Sequence, residues 1–207
     1  MKTLEEFEFN GYKVLEHLIT PYVTVNQAIA SLSVFTHPDT VKELGYKSLF
    51  SIVRAKKTDK RGSLIDGKNA IACDNTSTQL IFCWANGWPT SRRIGHHLQF
   101  NHVYDVSDDP KYYTSLSNIC VTPACVAKLT DGKKSEVKAL LKYHIWRIYN
   151  EFVPEGELLP QKPLDYDKLE WANYPSPVDS VETVIRQRLT GNPKKAFDYF
   201  GWSPYRV

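Results

Sequence analysis

From 134 to 152, Val137, Leu140, Leu141, Ile145, Ile148, Tyr149 and Phe152 recur every three or four positions. That is the spacing of one helix face, and Ser135 is placed to cap its start. A looser stripe of Val41, Leu44, Leu49, Ile52 and Val53 follows His37-Pro38-Asp39. Residues 12–55 therefore read as helical, with Asn26 capping QAIASLSVF and a turn near Gly45. Between 61 and 94 the rhythm changes. Short apolar runs (GSLI, KNAIAC, QLIFCW, WPTSRR) surround Asp66-Gly67 and Asn86-Gly87. Such dipeptides favour hairpin turns, whose central positions need positive φ, so a small antiparallel β-meander is expected. Five of the twelve prolines lie between 153 and 177, and without amide donors this stretch should run extended over the surface. A last helix is expected from Asp179 or Ser180 through Leu189, stopped by Gly191-Asn192-Pro193.

Composition narrows the class. In 207 residues, 42% hydrophobic and 24% charged, no apolar run approaches the ~20 residues of a transmembrane helix. The opening MKTLEEFEFN is too acidic and too short of aliphatics for a secretory signal. A soluble, cytoplasmic protein is expected, with no membrane partner. No repeat or low-complexity tract is present. Cys73, Cys83, Cys120 and Cys125 are expected as reduced thiols. Their spacing lacks the paired form of a zinc site, so structural Zn²⁺ is not expected.

The net charge of +3 is unevenly spread. Residues 42–61 hold seven basic side chains against Glu43 and Asp59, a net +5, whereas 151–182 hold eight acidic against Lys162 and Lys168, a net −6. This suits a polyanion-binding face and an acidic face elsewhere, although two solvated surfaces give the same pattern.

Chemistry concentrates in residues 96–134. HLQFNHVYDV reads as an edge strand, and a turn-prone loop with Asp105, Asp108, Asp109 and Pro110 follows. Asn118-Ile119-Cys120-Val121 is a second strand. Thr122 then caps a helix that has Pro123 at its first position. The order is strand, loop, strand, helix.

With His102 ending the first strand and Asn118-Ile119 opening the second, this stretch resembles the HNH, or ββα-metal, nuclease superfamily. The run NICVTPACVAKLTD is similar to members in which a proline-bearing turn leads into the helix and a Thr-Asp ends it. The resemblance implies a DNA endonuclease that hydrolyses phosphodiesters with one divalent metal, Mg²⁺ or Mn²⁺. His102 would be the general base and Asn118 the residue that fixes its loop. The position before the histidine, often an acidic ligand in the family, is Asn101, and the third motif position falls on Ala127, which binds no metal. Replacement ligands nearby are His97, Asp105, Asp108, Asp109 and Asp131.

Lys56, Lys57, Lys60, Arg61, Lys128, Lys133 and Lys134 are the expected nucleic-acid contacts, with Lys138 and Lys142 beyond them. Trp84, Trp88, Tyr112 and Tyr113 are candidates for stacking on unpaired bases, though core packing explains most of them equally well. RNA is not excluded, and the protein is expected alone, as a homodimer, or in a larger restriction or defence complex. The rival is a non-catalytic nucleic-acid-binding or protein-interaction module on a degenerate nuclease fold, for which Ala127 speaks.

The expected fold class is α+β. A helical N-terminal region takes 1–60, and the β-meander, the ββα-metal core and its following helix take 61–152. A proline-rich wrap and C-terminal helix take 153–207.

Overall fold

The structure, a computed structural model, describes residues 3, 5–8, 11–90, 97–130 and 136–206. The fold is α+β, with eight α-helices and two small sheets among the described residues. None of these helices is long and apolar enough to cross a membrane.

The N-terminal third holds α1 (Gly11–Ile19), α2 (Val25–Leu32) and α3 (Pro38–Leu44). Thr24, not Asn26, caps α2, its side chain accepting from the Gln27 N–H. His37 caps α3 in the same way through the Asp39 N–H. Pro38 opens α3, where its missing donor has no partner to lose. The helical stripe expected through residue 55 stops at Gly45, which has φ +86°. Ile52–Arg54 is instead strand β1. β-branched Ile52 and Val53 are buried there, and pairing on a pleated sheet suits their stiff side chains better than a helix does.

Residues 61–94 do not form an antiparallel meander. Strands β2 (Leu64–Ile65) and β3 (Ala70–Cys73) are antiparallel around Asp66-Gly67, as the turn dipeptide requires. β1, however, pairs parallel with β3, giving a mixed sheet in the order β1-β3-β2. QLIFCW belongs to helix α4 (Asn75–Ala85), capped by Asp74. Asn86-Gly87 ends that helix rather than turning a hairpin. Buried Asn86 donates through Nδ2 to Phe82 O at 2.8 Å and Thr36 Oγ1 at 3.0 Å. The runs at 91–94 lie outside the described residues.

The second sheet is a hairpin of β4 (Leu98–His102) and β5 (Ile119–Pro123), in which His102 faces Ile119. Thr122 and Pro123 stay in the strand. Pro123 flanks α5 (Ala124–Ala127), which tightens into a 3₁₀ turn at Lys128–Thr130. The other edge of β5 pairs with Val34. Helix α6 (Glu136–Ile148) buries Val137, Leu140, Leu141 and Ile145, matching its stripe. Its expected cap, Ser135, lies outside the described residues.

Residues 153–177 run mostly extended, as their prolines dictate, and lay Tyr166, Trp171 and Tyr174 on the core. His144 of α6 is buried here. Its ring stacks on Trp171 at 3.4 Å, and Nδ1 meets the Tyr166 hydroxyl at 2.9 Å. Helix α7 (Val181–Arg188) ends where expected. Gly191-Asn192-Pro193 then starts a further helix, α8 (Gly191–Phe200), because proline is tolerated in a first turn. After α8 the chain returns to the N-terminal third. Trp202 stacks on Phe50, Ser203 N–H donates to Leu49 O at 2.9 Å, and Arg206 Nε donates to Leu44 O at 2.5 Å.

One continuous cluster of buried side chains runs from Ile29 to Ala196. It draws on all three regions expected from the sequence.

Candidate active site

The loop after β4 is fastened to β1. Arg54 N–H donates to Ser107 O at 2.8 Å, Ser48 N–H to Lys111 O at 2.8 Å, and Thr114 Oγ1 to Phe50 O at 3.0 Å. These bonds bring Arg54, distant in sequence, beside the hairpin end. A cleft of about 270 Å³ opens there, lined chiefly by Arg54, Asn101, His102, Asp105, Thr130 and Lys138, with Asn75, Gln99 and Ser107 at its margins.

His102 is half-buried and held on two sides. Its ring stacks on Tyr113 at 5.0 Å and 14°, and its Nε2 lies 2.8 Å from Tyr113 O. A carbonyl only accepts, so Nε2 carries the proton in this arrangement and Nδ1 of the neutral ring keeps the lone pair. Burial pushes the imidazole below its usual 6.5, and Arg54 pushes the same way. The Tyr113 carbonyl and Asp105 act in the opposite sense. The result is a ring that stays neutral at pH 7 with a fixed orientation, which is what a general base requires.

Asn118 is fully buried and is not among the residues that line this cleft. Its amide bonds the backbone of Tyr104 through both polar ends and so fixes the chain two residues beyond His102. Asn101, also buried, donates through Nδ2 to Thr122 Oγ1 at 2.9 Å and to Gln99 O at 3.2 Å. Its Oδ1 is the atom left over by these bonds.

Of the other expected ligands, only Asp105 lines the cleft. Its carboxylate lies 2.6 Å from Lys138 Nζ. His97 is exposed and outside the cleft lining. Asp108 pairs with Lys68, and Asp109 accepts from the Lys111 N–H as a turn residue. Asp131 lies outside the described residues, as do Lys133 and Lys134. Ala127 is buried and offers nothing. Among the described residues no three His, Cys, Asp or Glu side chains stand together. The one carboxylate of the cleft is already engaged by an ammonium. The described donors therefore do not fit a divalent ion.

The expected nucleic-acid contacts divide. Lys56, Lys57 and Lys60 are exposed on the loop after β1. Arg61 is exposed and paired with Asp74 at 2.9 Å. Lys128 is exposed on the 3₁₀ turn. Lys138 is not a surface cation: it is 4% exposed and faces the cleft. Lys142 pairs with Glu157 and lies over the Tyr104 ring. Trp84, Tyr112 and Tyr113 are buried and present no face to a base, whereas Trp88 is half-buried and packs on the core. In the acidic stretch, Glu155, Glu157, Asp167 and Glu182 are paired with Lys111, Lys142, Lys162 and Arg206. The four cysteines are free thiols.

Sequence reasoning missed Arg54 as a cleft residue and Lys138 as a buried one. The signal for Lys138 was its place three residues before Leu141 and seven before Ile145, on the buried face of α6. Arg54 left no local signal. Compared with known protein families, curated proteins and solved structures, the chain has no match.

Proposed function

We propose that this cleft hydrolyses phosphodiesters, with His102 as general base, in the manner of an HNH-like endonuclease. The observation that carries this reading is a neutral, oriented His102 facing the same cleft as Arg54 and Lys138. Its support includes the hairpin-then-short-helix order of β4, β5 and α5 and the grip of Asn118 on the loop.

Water enters beside Nδ1 of His102, which takes its proton. The hydroxide oxygen bonds to phosphorus as the bond to the leaving oxygen breaks, and that alkoxide takes a proton from solvent. Imidazolium then returns its proton to solvent, so one water is consumed per bond. The divalent ion that the resemblance implies finds no fitting donor set among the described residues, so no step of this reaction is routed through one. DNA is the substrate of this reading, with Lys56, Lys57 and Lys60 as sequence-independent backbone contacts. Restriction or defence in the cytoplasm is its context.

A second reading is a nucleic-acid-binding module without catalysis. It is favoured by the Lys138–Asp105 pair, which leaves the cleft without a free carboxylate.

The test is incubation of supercoiled plasmid with the protein under Mg²⁺, Mn²⁺ or EDTA, beside His102→Ala. Nicking or linearisation that disappears in the variant supports the hydrolase. A gel shift without cleavage under any condition supports the binding module. A parallel RNA substrate separates the two nucleic acids.

A further inference from the structure

Lys138 sits on the buried face of α6, yet its ammonium lines the cleft of His102. A buried ammonium is costly unless it is paired. Asp105 supplies that pairing at 2.6 Å, with its own side chain 55% exposed at the mouth. The pairing fixes the ammonium of Lys138 at one place on the wall, although the pair is neutral overall. Arg54, carried in by its bond to Ser107, supplies the net positive charge.

Charge balance shows what this wall fits. Arg54 and Lys138 against Asp105 leave the described lining at +1, with His102 neutral. A phosphodiester carries −1, and its oxygens gain negative charge as hydroxide attacks. Fixed cations aimed at charge that develops in the transition state stabilise it without reorganisation. A divalent ion would instead have to draw Asp105 away from Lys138.

We propose that Lys138, seconded by Arg54, supplies the positive charge that holds and neutralises the phosphodiester in place of a divalent metal ion. This rests on the hydrolase reading above. The ammonium exchanges Asp105 for a phosphate oxygen as substrate enters and gives up no proton in the reaction. His102 takes the proton of water, and the leaving alkoxide is protonated from solvent. No co-reactant beyond water is required.

The experiment uses the full chain stripped of metal and kept in EDTA. It reads plasmid nicking and, separately, binding of inorganic phosphate by calorimetry. Lys138→Met with Asp105→Asn removes both charges together, and Lys138→Arg keeps the cation. Wild type is expected to nick equally with EDTA or Mg²⁺, and the double variant to lose about 100-fold in rate. The double variant should also bind phosphate about tenfold more weakly, some 1.4 kcal/mol, while Lys138→Arg retains binding. If the double variant does not fold, Arg54→Gln serves, because its side chain is exposed, and weaker phosphate binding is again expected. Nicking by wild type that EDTA abolishes and Mg²⁺ or Mn²⁺ restores overturns the inference and leaves the hydrolase standing. No nicking under any condition overturns both.

Discussion

Asn118 grips the backbone of Tyr104 at both of its polar groups: Oδ1 accepts from the Tyr104 N–H at 2.7 Å, and Nδ2 donates to the Tyr104 carbonyl at 3.2 Å. Both residues are fully buried, so each bond replaces water that cannot reach the site. Asn118→Ala leaves two backbone groups without partners and is expected to cost about 2–3 kcal/mol in urea unfolding. Asn118→Asp keeps the acceptor and loses the donor. Plasmid cleavage should fall in both, because the same loop carries His102 toward the cleft.

His102→Ala removes the base but none of the bonds that hold the loop to β1. It does remove the bond and the stack to Tyr113, so a stability loss of about 1–2 kcal/mol is expected, while cleavage by the folded protein falls by about 10²–10⁴. Cleavage that merely follows the folded fraction would mark His102 as structural instead.

Burial holds His144 at about 3, far below its usual 6.5. The unfolded chain binds a proton between these values that the native fold refuses, so stability falls as pH drops through that window. Above about 6.5 the contribution is complete. Between pH 6.5 and 5 the loss is about 1.5 kcal/mol, and His144→Phe should lack it. Unfolding of the two proteins in urea at both pH values checks this by the difference of their slopes.

The salt dependence of DNA binding tests the exposed cations. Changing Lys56, Lys57 and Lys60 to Ala should lower the slope of log K against log salt by about 2–3. An unchanged slope would place the nucleic acid elsewhere.

Gly45 adopts φ +86°, and a Cβ there would lie 1.9 Å from Arg206 O. Both the backbone and the space forbid a side chain. Gly45→Ala is expected to cost about 2–4 kcal/mol in thermal or urea unfolding.

Helix α6 was legible because thirteen residues of regular spacing bury one face. Helix α4 was not, because Ile81, Phe82, Cys83 and Trp84 are buried in succession and leave no polar stripe to reveal the period. β1 is three residues long, too short for alternation to register. Gly191-Asn192-Pro193 reads equally as a stop and a start, and only tertiary packing of Ala196 chooses. At the candidate site, His102, Asp105 and Asn118 lie within seventeen consecutive positions, so their order was visible in the sequence. Arg54 and Lys138 reach the cleft from a different strand and a different helix, and no local pattern records such a meeting.

The return of the tail onto α3 and β1 has a consequence for synthesis. Leu44, Leu49 and Phe50 are among the early residues of the chain, yet Phe197, Trp202, Ser203 and Arg206 complete their surroundings. A nascent chain cannot close this part of its core while those late residues are still inside the ribosomal tunnel. Native packing of this region is therefore reached only once residue 206 has left the tunnel, and until then chaperones that hold nascent chains meet an open apolar face.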